Sequence, residues 1–562
     1  MAENPSNRET ARPIRPQFLD DDGNEIPAPR PRVWLAVAET LLVFLAIFLH
    51  GATLPPDLNE VHYLGKARHY WNPAWCQGDF FLETADAHQV FYWTFGWLTL
   101  DRFGLSLDRV AWIGRLATWV LLAIAWRRLS WAVVPRPVVA VVTAVLFLAL
   151  VARCHMAGEW IVGGVEAKGF AYAMVLFGLG SLVQQRWRTA IVLFGAATAF
   201  HVLVGGWSLV ALAIAWALLR GTAPTPIRLV PALIAAAVLA APSVWFALEL
   251  NLHGDGQTGA AANAIYVYDR LPHHLVLTGM KPEFIVRFVV LILIGVGLVL
   301  GLVLNTATRK IAAFGAAAVA IALVGAVLSM AVAIAPDVTS DPMAALLRFY
   351  WFRLADIVVP LAVTLLAAAR IEKAYVRNAV RGSYLAAAVM LVTAAHLAVL
   401  LYERRPGTEI ALYSPADAKS RVAVDGRTVI AADDWIDVCH YFRDRPHISP
   451  AAKVLTPRNS HSFKWHAERP EVGTWKDIPQ DAASIVEWME RMQTIHANRD
   501  KSAPARRWSR TLGELGAEEL TRVAQKYGAE YIVSEAEPPV DLPKIHGNRS
   551  YSVYRIVPEP RR

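Results

Sequence analysis

Charge is scarce in this chain. Only 18% of its 562 residues are Asp, Glu, Lys or Arg, against 55% hydrophobic residues, and mean hydropathy is +0.35. Soluble chains of this length rarely average above zero, and the apolar residues here gather into near-continuous runs of spanning length. That excludes an ordinary soluble enzyme and defines a polytopic α-helical membrane protein. Cysteine is scarcer still. Cys76, Cys154 and Cys439 make no CxxC pair and no zinc-type spacing, which argues against a structural metal. Whether Cys76 and Cys154 bond stays open. A Rossmann-like unit, a P-loop and an internal repeat are all missing, so no nucleotide-sugar site is expected. The net charge of +8 does not point to nucleic acid, because the basic residues sit in short clusters between apolar runs.

What is present is aromatic and apolar. The 20 Trp and 16 Tyr suit a large membrane–water boundary. Residues 1–32 are polar, rich in Pro and Arg, and predict a disordered cytoplasmic tail; Asp20, Asp21 and Asp22 set it apart from a signal peptide. Spans are expected at about 33–52, 110–127, 137–153, 168–185, 189–205, 207–220, 229–248, 284–304, 311–335, 350–369 and 383–401, each close to the length that about 1.5 Å per residue requires. The segment 90–103, "VFYWTFGWLTLDRF", is read as an amphipathic helix lying on the surface. With that choice Arg127, Arg128, Arg136, Arg186, Arg188, Arg220, Arg228, Arg309, Lys310, Arg370, Lys373, Arg377 and Arg381 all fall on the cytoplasmic side, as the positive-inside rule asks. The membrane domain is then 33–401 with its first outer loop at 53–109. Residues 402–562 form a soluble extracytoplasmic α/β domain, with strands at "AKVLTP", "AEYIVSE" and "YSVYRIV" and helices at "DAASIVEWMERMQ" and "AEELTRVAQKYG".

This layout collects the acids and histidines on one side. The first loop, "PPDLNEVHYLGKARHYWNPAWCQGDFFLETADAHQ", carries Asp57, Asn59, Glu60, His62, Asp79, Glu83, Asp86 and His88. Carboxylates beside an apolar surface either gain proton affinity or require a partner, and that is one way to make a general base. In "GEWIVGGVEAKGFAY", Glu159 and Glu166 share a face if the segment is helical, Lys168 can pair with Glu166, and Gly163–Gly164 suggest a break lining a cavity. A solvated, salt-bridged loop is the plainer alternative for both segments. His201 ends a span near the same boundary; a lone histidine there is more often a packing group than a ligand. "YDRLPHHL" offers Arg270, His273 and His274, a set suited to phosphate oxygens, with anionic lipid contact as the alternative. In "LLRFYWFRLADIVVP", Arg353 and Asp356 stand three apart on one helix face and can pair, and Arg348 is the better phosphate candidate.

These motifs resemble the GT-C superfamily of integral membrane glycosyltransferases. "LNEVHYLGKARHY" looks like that superfamily's acidic first-loop motif, and "AHQVFYWTFGWLTLDRFGLSLDRVAWIGRLATWVLLAIAWRRL" is similar to its juxtamembrane helix, FG turn and a span opening with an arginine, here Arg115. The likeness covers roughly residues 33–128; the rest of the membrane part matches in span count and sidedness. A nearer resemblance is to uncharacterised bacterial multispan proteins that share "GGVEAKGFAY", "RLPHHL" and a C-terminal pattern at Thr456-Pro457, Phe463, Ala467–Pro470, Lys476 and Pro479. The resemblance implies a protein of the bacterial inner (cytoplasmic) membrane. It implies transfer of a sugar from a polyprenyl-phosphate-linked donor to a carbohydrate, lipid or protein acceptor on the extracytoplasmic face. Glu60 matches the second acid of the family's pair, while the first position is Asn59, which takes no proton. The implied base is therefore Glu60, Asp57 or Asp79, with Arg270, His273, His274 or Arg348 stabilising the departing phosphate. The lipid-linked sugar is a co-substrate; outer carboxylates and histidines leave a divalent metal open, though no motif demands one. A transporter or flippase, or a noncatalytic assembly or sensing relative, are the competing classes, the last favoured by Asn59.

Overall fold

The computed structural model describes residues 32–252, 256–403, 432–502 and 504–556, with short strands at Gln17–Leu19, Glu25–Pro27, Arg421–Val424 and Arg427–Ile430. Most of the 1–32 tail therefore lies outside the described residues.

Eleven apolar helices carry the membrane domain among the described residues: α1 Val33–Gly51, α2 Leu107–Val133, α3 Val139–Cys154, α4 Ala167–Val183, α5 Trp187–Phe200, α6 Val202–Leu218, α7 Val230–Leu252, α8 Pro282–Leu300, α9 Thr306–Ile334, α10 Arg353–Arg377 and α11 Ala379–Glu403. Seven are long and apolar enough to cross a bilayer alone, and α3 to α6 are shorter. The chain is thus a multi-pass membrane protein. Helix starts follow local chemistry: Ser106 caps α2 by accepting from the Arg109 amide at 3.4 Å, and Asn305 caps α9 through Thr308 at 2.9 Å. The close approach of α5 and α7 depends on Gly195, where a Cβ would fall 2.5 Å from the Ala236 Cα. Trp119, Tyr172, Phe194 and Phe314 fill the centre of the bundle, while Val286, Leu293 and Leu391 face outward.

Segment 90–103 does not cross. It forms a short helix, Gln89–Thr94, followed by two tight turns, with Trp93, Trp97 and Phe103 exposed. Alternation of eleven helices then places 52–106, 155–166, His201, 256–281 and 335–352 at one end of the bundle, with the described part of the C-terminal domain. The arginine-rich turns occupy the other end, where Arg136 meets Glu372 at 2.8 Å.

Beyond the helices lies a small α/β domain. Its four-stranded sheet has β1 Val454–Leu455 parallel to β2 Tyr531–Glu535, then β4 Tyr551–Arg555 antiparallel, and β3 Lys544–Gly547 at the edge. Helices Ala432–Arg443, Ala482–His496 and Gly516–Tyr527 pack on it, and Trp488, Ile532, Val533 and Val553 are fully buried between the layers. The domain docks on the loop-rich end of the bundle: Trp465 donates to Asp108 at 2.8 Å, and the Glu471 amide donates to Asp79 at 2.9 Å.

A cationic cavity between the bundle and the C-terminal domain

Where the first loop, the 155–166 loop, the 265–275 turn and the C-terminal domain meet, they enclose a cavity of about 660 Å3. Its floor is prepared by buried carboxylates that hold backbone rather than substrate. Asp356, at the start of α10, accepts from the amides of Met156 (2.8 Å), Ala157 (2.9 Å) and Glu159 (3.2 Å), so the irregular 155–166 loop is gathered around one side chain. This overturns the expected Arg353–Asp356 pair. Three amides satisfy Asp356, and Arg353 turns instead to Glu159 at 3.1 Å and to His201 at 3.2 Å.

The three acids expected to supply a base also serve as anchors. Glu60 is fully buried, bound by the Arg115 guanidinium at 2.6 Å on each carboxylate oxygen, and it accepts from the amides of Asp57 (2.7 Å) and Val165 (2.8 Å). Asp57 accepts from the amides of Leu58 and Gly164. A Cβ on Gly164 would fall 2.5 Å from the Glu60 Cγ, so only glycine lets the two loops approach this closely. Asp79 caps the turn Phe80–Glu83 through Leu82 and holds Glu471. None of the three lines the cavity.

The cavity wall itself is set with Asn59, His62, Asp86, His88, Glu159, Lys168, His201, Arg270, His274, Arg348 and Arg353. Eleven residues singled out from separate stretches of the sequence thus meet in one space. His273 is off the wall, its ring tilted against His274 with centroids 4.1 Å apart, and Glu166 stands behind the wall, bonded to Asn59 at 3.2 Å and to Lys168 at 3.4 Å. The region 155–166 is not helical, so Glu159 and Glu166 converge through Lys168 and not through a helix face.

Charge is unevenly distributed. Lys168 and Arg353 have carboxylate partners. Arg270 and Arg348 bond only neutral oxygens among the described residues: Arg270 donates to the Trp475 carbonyl (2.9 Å), and Arg348 to the Asn263 side chain (3.0 Å) and the Gln480 carbonyl (2.5 Å). Their positive charge therefore faces the cavity. Two Asp–His pairs complete it. His62 Nε2 meets Asp477 at 2.6 Å, and His88 Nδ1 meets Asp86 at 2.8 Å. Burial raises the Asp86 carboxyl's proton affinity, but His88 and Lys66 outweigh it and hold Asp86 below the usual carboxylate range. Burial pushes His274 down to about 3, so this ring is neutral; its Nδ1 pairs with the Ala157 carbonyl.

Three contributors, Trp475, Asp477 and Gln480, had no prior signal, and Lys476 was marked only by the C-terminal pattern of the resemblance. Trp475, Lys476, Asp477 and Gln480 reach the site from the C-terminal domain, in a segment that looks like any polar loop. Tyr266 and Tyr350 bond each other at 2.9 Å beside Arg348 and Arg270; Tyr266 lies in a π-helical turn, Ile265–Arg270, of a kind often found at functional sites. Val244, Ala247 and Leu248 of α7 give the cavity an apolar lip next to the outward-facing Trp245. No group of three His, Cys, Asp or Glu side chains among the described residues is arranged to hold a metal ion.

Fold and site together define a multi-pass helical membrane protein with a cationic, partly apolar cavity bordered by a C-terminal α/β domain. A family model described as a domain of unknown function, DUF6798, matches residues 433–495. Solved structures similar to the chain include an oligosaccharyltransferase from Archaeoglobus fulgidus with Zn and sulfate (13% identity, 89% of this chain and 68% of that one, TM-score 0.43). A second is the oligosaccharyltransferase AglB of the same organism with an inhibitory peptide and a dolichol-phosphate (12%, 90% and 69%, TM-score 0.43). A third is ArnT from Cupriavidus metallidurans bound to undecaprenyl phosphate (13%, 93% and 98%, TM-score 0.42). No curated protein matches the chain by sequence.

Proposed function

We propose that the protein is a bacterial inner-membrane glycosyltransferase that moves a sugar from a polyprenyl-phosphate carrier to an acceptor on the extracytoplasmic face. One observation carries this reading. Two arginines that have no carboxylate partner among the described residues, Arg270 and Arg348, share a cavity with an apolar lip on α7, so a phosphate and its hydrocarbon chain have complementary walls in one place. The short, arginine-rich turns at the opposite end of the bundle support a cytoplasmic placement for that end, and hence an outer placement for the cavity. Arg270 and Arg348 would match phosphate oxygens with planar donors and stabilise charge as the sugar–phosphate bond breaks. Glu60, Asp57, Asp79 and Asp356 would position the loops. A sugar acceptor, whether carbohydrate, lipid or protein, would enter from the side of the C-terminal domain. A divalent metal is not required by this scheme.

Binding of undecaprenyl phosphate to the purified full chain in nanodiscs tests the reading. Wild type is expected to bind, and Arg270→Gln and Arg348→Gln each to weaken binding roughly 10- to 100-fold, the value of a charge-assisted hydrogen bond. No saturable binding to the wild type would remove the donor site from the scheme.

A further inference from the structure

The anchoring of Glu60, Asp57 and Asp79 leaves the transferase reading without a free carboxylate from the first-loop pair to accept the acceptor's proton. The wall offers an alternative. His62 lies on helix Glu60–Trp71, one turn into the first loop, and its ring lines the cavity. Its Nε2 is 2.6 Å from Asp477 Oδ1, contributed by the C-terminal domain 415 residues later in the chain. Asp477 is 1% exposed and is fixed from behind, where Lys464 bonds its other oxygen. Lys464 in turn holds Glu471 at 2.7 Å and stands 3.7 Å from Asp79. A carboxylate clamped in this way sets the histidine tautomer: the proton sits on Nε2, facing Asp477, and the lone pair sits on Nδ1. His62 Nδ1 makes no hydrogen bond among the described residues.

We propose that His62 is the general base of the transfer, and that Asp477 is the residue that positions it. The inference rests on the glycosyl-transfer reading above. As the acceptor oxygen forms its bond to the anomeric carbon, its proton passes to His62 Nδ1. The carbon–oxygen bond to the carrier phosphate breaks, and its electron pair stays on the phosphate oxygen facing Arg270 and Arg348. The imidazolium, steadied by Asp477, then returns its proton to water. The groups facing the ring from neighbouring elements are Asp477, Lys464, Lys476 and His461, with Phe81 packed at 4.9 Å. Burial lowers the His62 pKa more strongly than Asp477 raises it, so the ring is neutral near pH 7 and able to take a proton. The second pair, Asp86–His88, is less suited. His88 Nδ1 is already held between Asp86 at 2.8 Å and the Gln480 amide at 3.3 Å, and its ring leans at 5.4 Å on His201, which bonds Arg353.

The test uses full-length protein in nanodiscs, undecaprenyl-phosphate-linked hexose with a labelled sugar, and water or glycerol as acceptor. Sugar release is followed from about pH 5 to pH 9, across the histidine range. His62→Ala is expected to lower turnover roughly 100-fold or more while undecaprenyl phosphate still binds, and added imidazole should restore part of the rate. Asp477→Asn should lower kcat and displace the pH profile with little change in KM. A His62→Ala protein within about threefold of wild type, or one that binds the lipid yet gains nothing from imidazole, overturns the proposal. Imidazole rescue of His88→Ala but not of His62→Ala overturns it as well. A wild-type protein that releases no sugar sinks the transferase reading itself, a failure separable from the others.

Discussion

At the scale of single residues, the acids divide by what they hold. Glu60 and Arg115 form a fully buried, two-pronged ion pair, to which the amides of Asp57 and Val165 also bind. Desolvating such a pair is costly, and removing one partner leaves a charge stranded in a dry site. Arg115→Met is therefore expected to destabilise the protein by about 3–5 kcal/mol, seen as a fall in melting temperature in detergent or loss of folded yield. A substitution with wild-type stability would contradict the anchoring role. The sequence singled out Glu60 without fixing its role, because the motif that marks it is equally compatible with a base and with a brace. What separates the two is Arg115, more than fifty residues away, and no spacing rule links them. Asp356 carries the same lesson: its helical offset from Arg353 was legible, but three loop amides compete better for it.

At the scale of elements, hydropathy was a reliable guide and the soluble part less so. The eleven apolar helices stand where apolar runs predict them, since a bilayer leaves the backbone little choice. The strands at 454–455, 531–535 and 551–555 and the helices at 482–496 and 516–527 were also visible in period and turn residues. Helix Ala432–Arg443 and strand Lys544–Gly547 were not, being short and half polar. Helix Ala482–His496 ends on a histidine that burial pushes down to about 3, and the turn before Phe463 holds another, His461, lowered equally by burial. Both are neutral in the fold. Since an exposed histidine titrates near 6.5, their contribution to stability is complete above that pH and is lost as pH falls from there toward 3. The melting temperature is expected to drop between about pH 7 and pH 4, and His461→Asn with His496→Asn to flatten that slope. An unchanged slope in the double variant would assign the acid sensitivity to other groups.

At the scale of the whole molecule, the cavity was foreseeable as a convergence but not as a shape. Sidedness alone brought Asn59, His62, Arg270 and Arg348 to one end, and the first loop and "YDRLPHHL" share one space there. The wall from the C-terminal domain was marked only by Lys476 and Pro479 in a pattern of resemblance, because "TWKDIPQ" has no periodicity that reveals a role before it docks. The proposed topology is testable without knowing any substrate. A membrane-impermeant thiol reagent should label Ala74→Cys from outside intact cells, and should reach Thr222→Cys only after the membrane is opened. Labelling of both residues from the same side would refute the eleven-pass arrangement.

The docking of residues 475–480 against the first loop has a consequence for biogenesis. In the proposed topology the first loop would be exported early, whereas Asp477 and the carbonyls that receive Arg270 and Arg348 would emerge from the ribosome only after the last membrane helix. Until then the two halves of the pocket have not met. A nascent or truncated chain already sits among its lipids with the arginines in place and His62 unsupported. On the proposed reading the protein would stay idle in the bilayer until its last quarter had been translocated and folded.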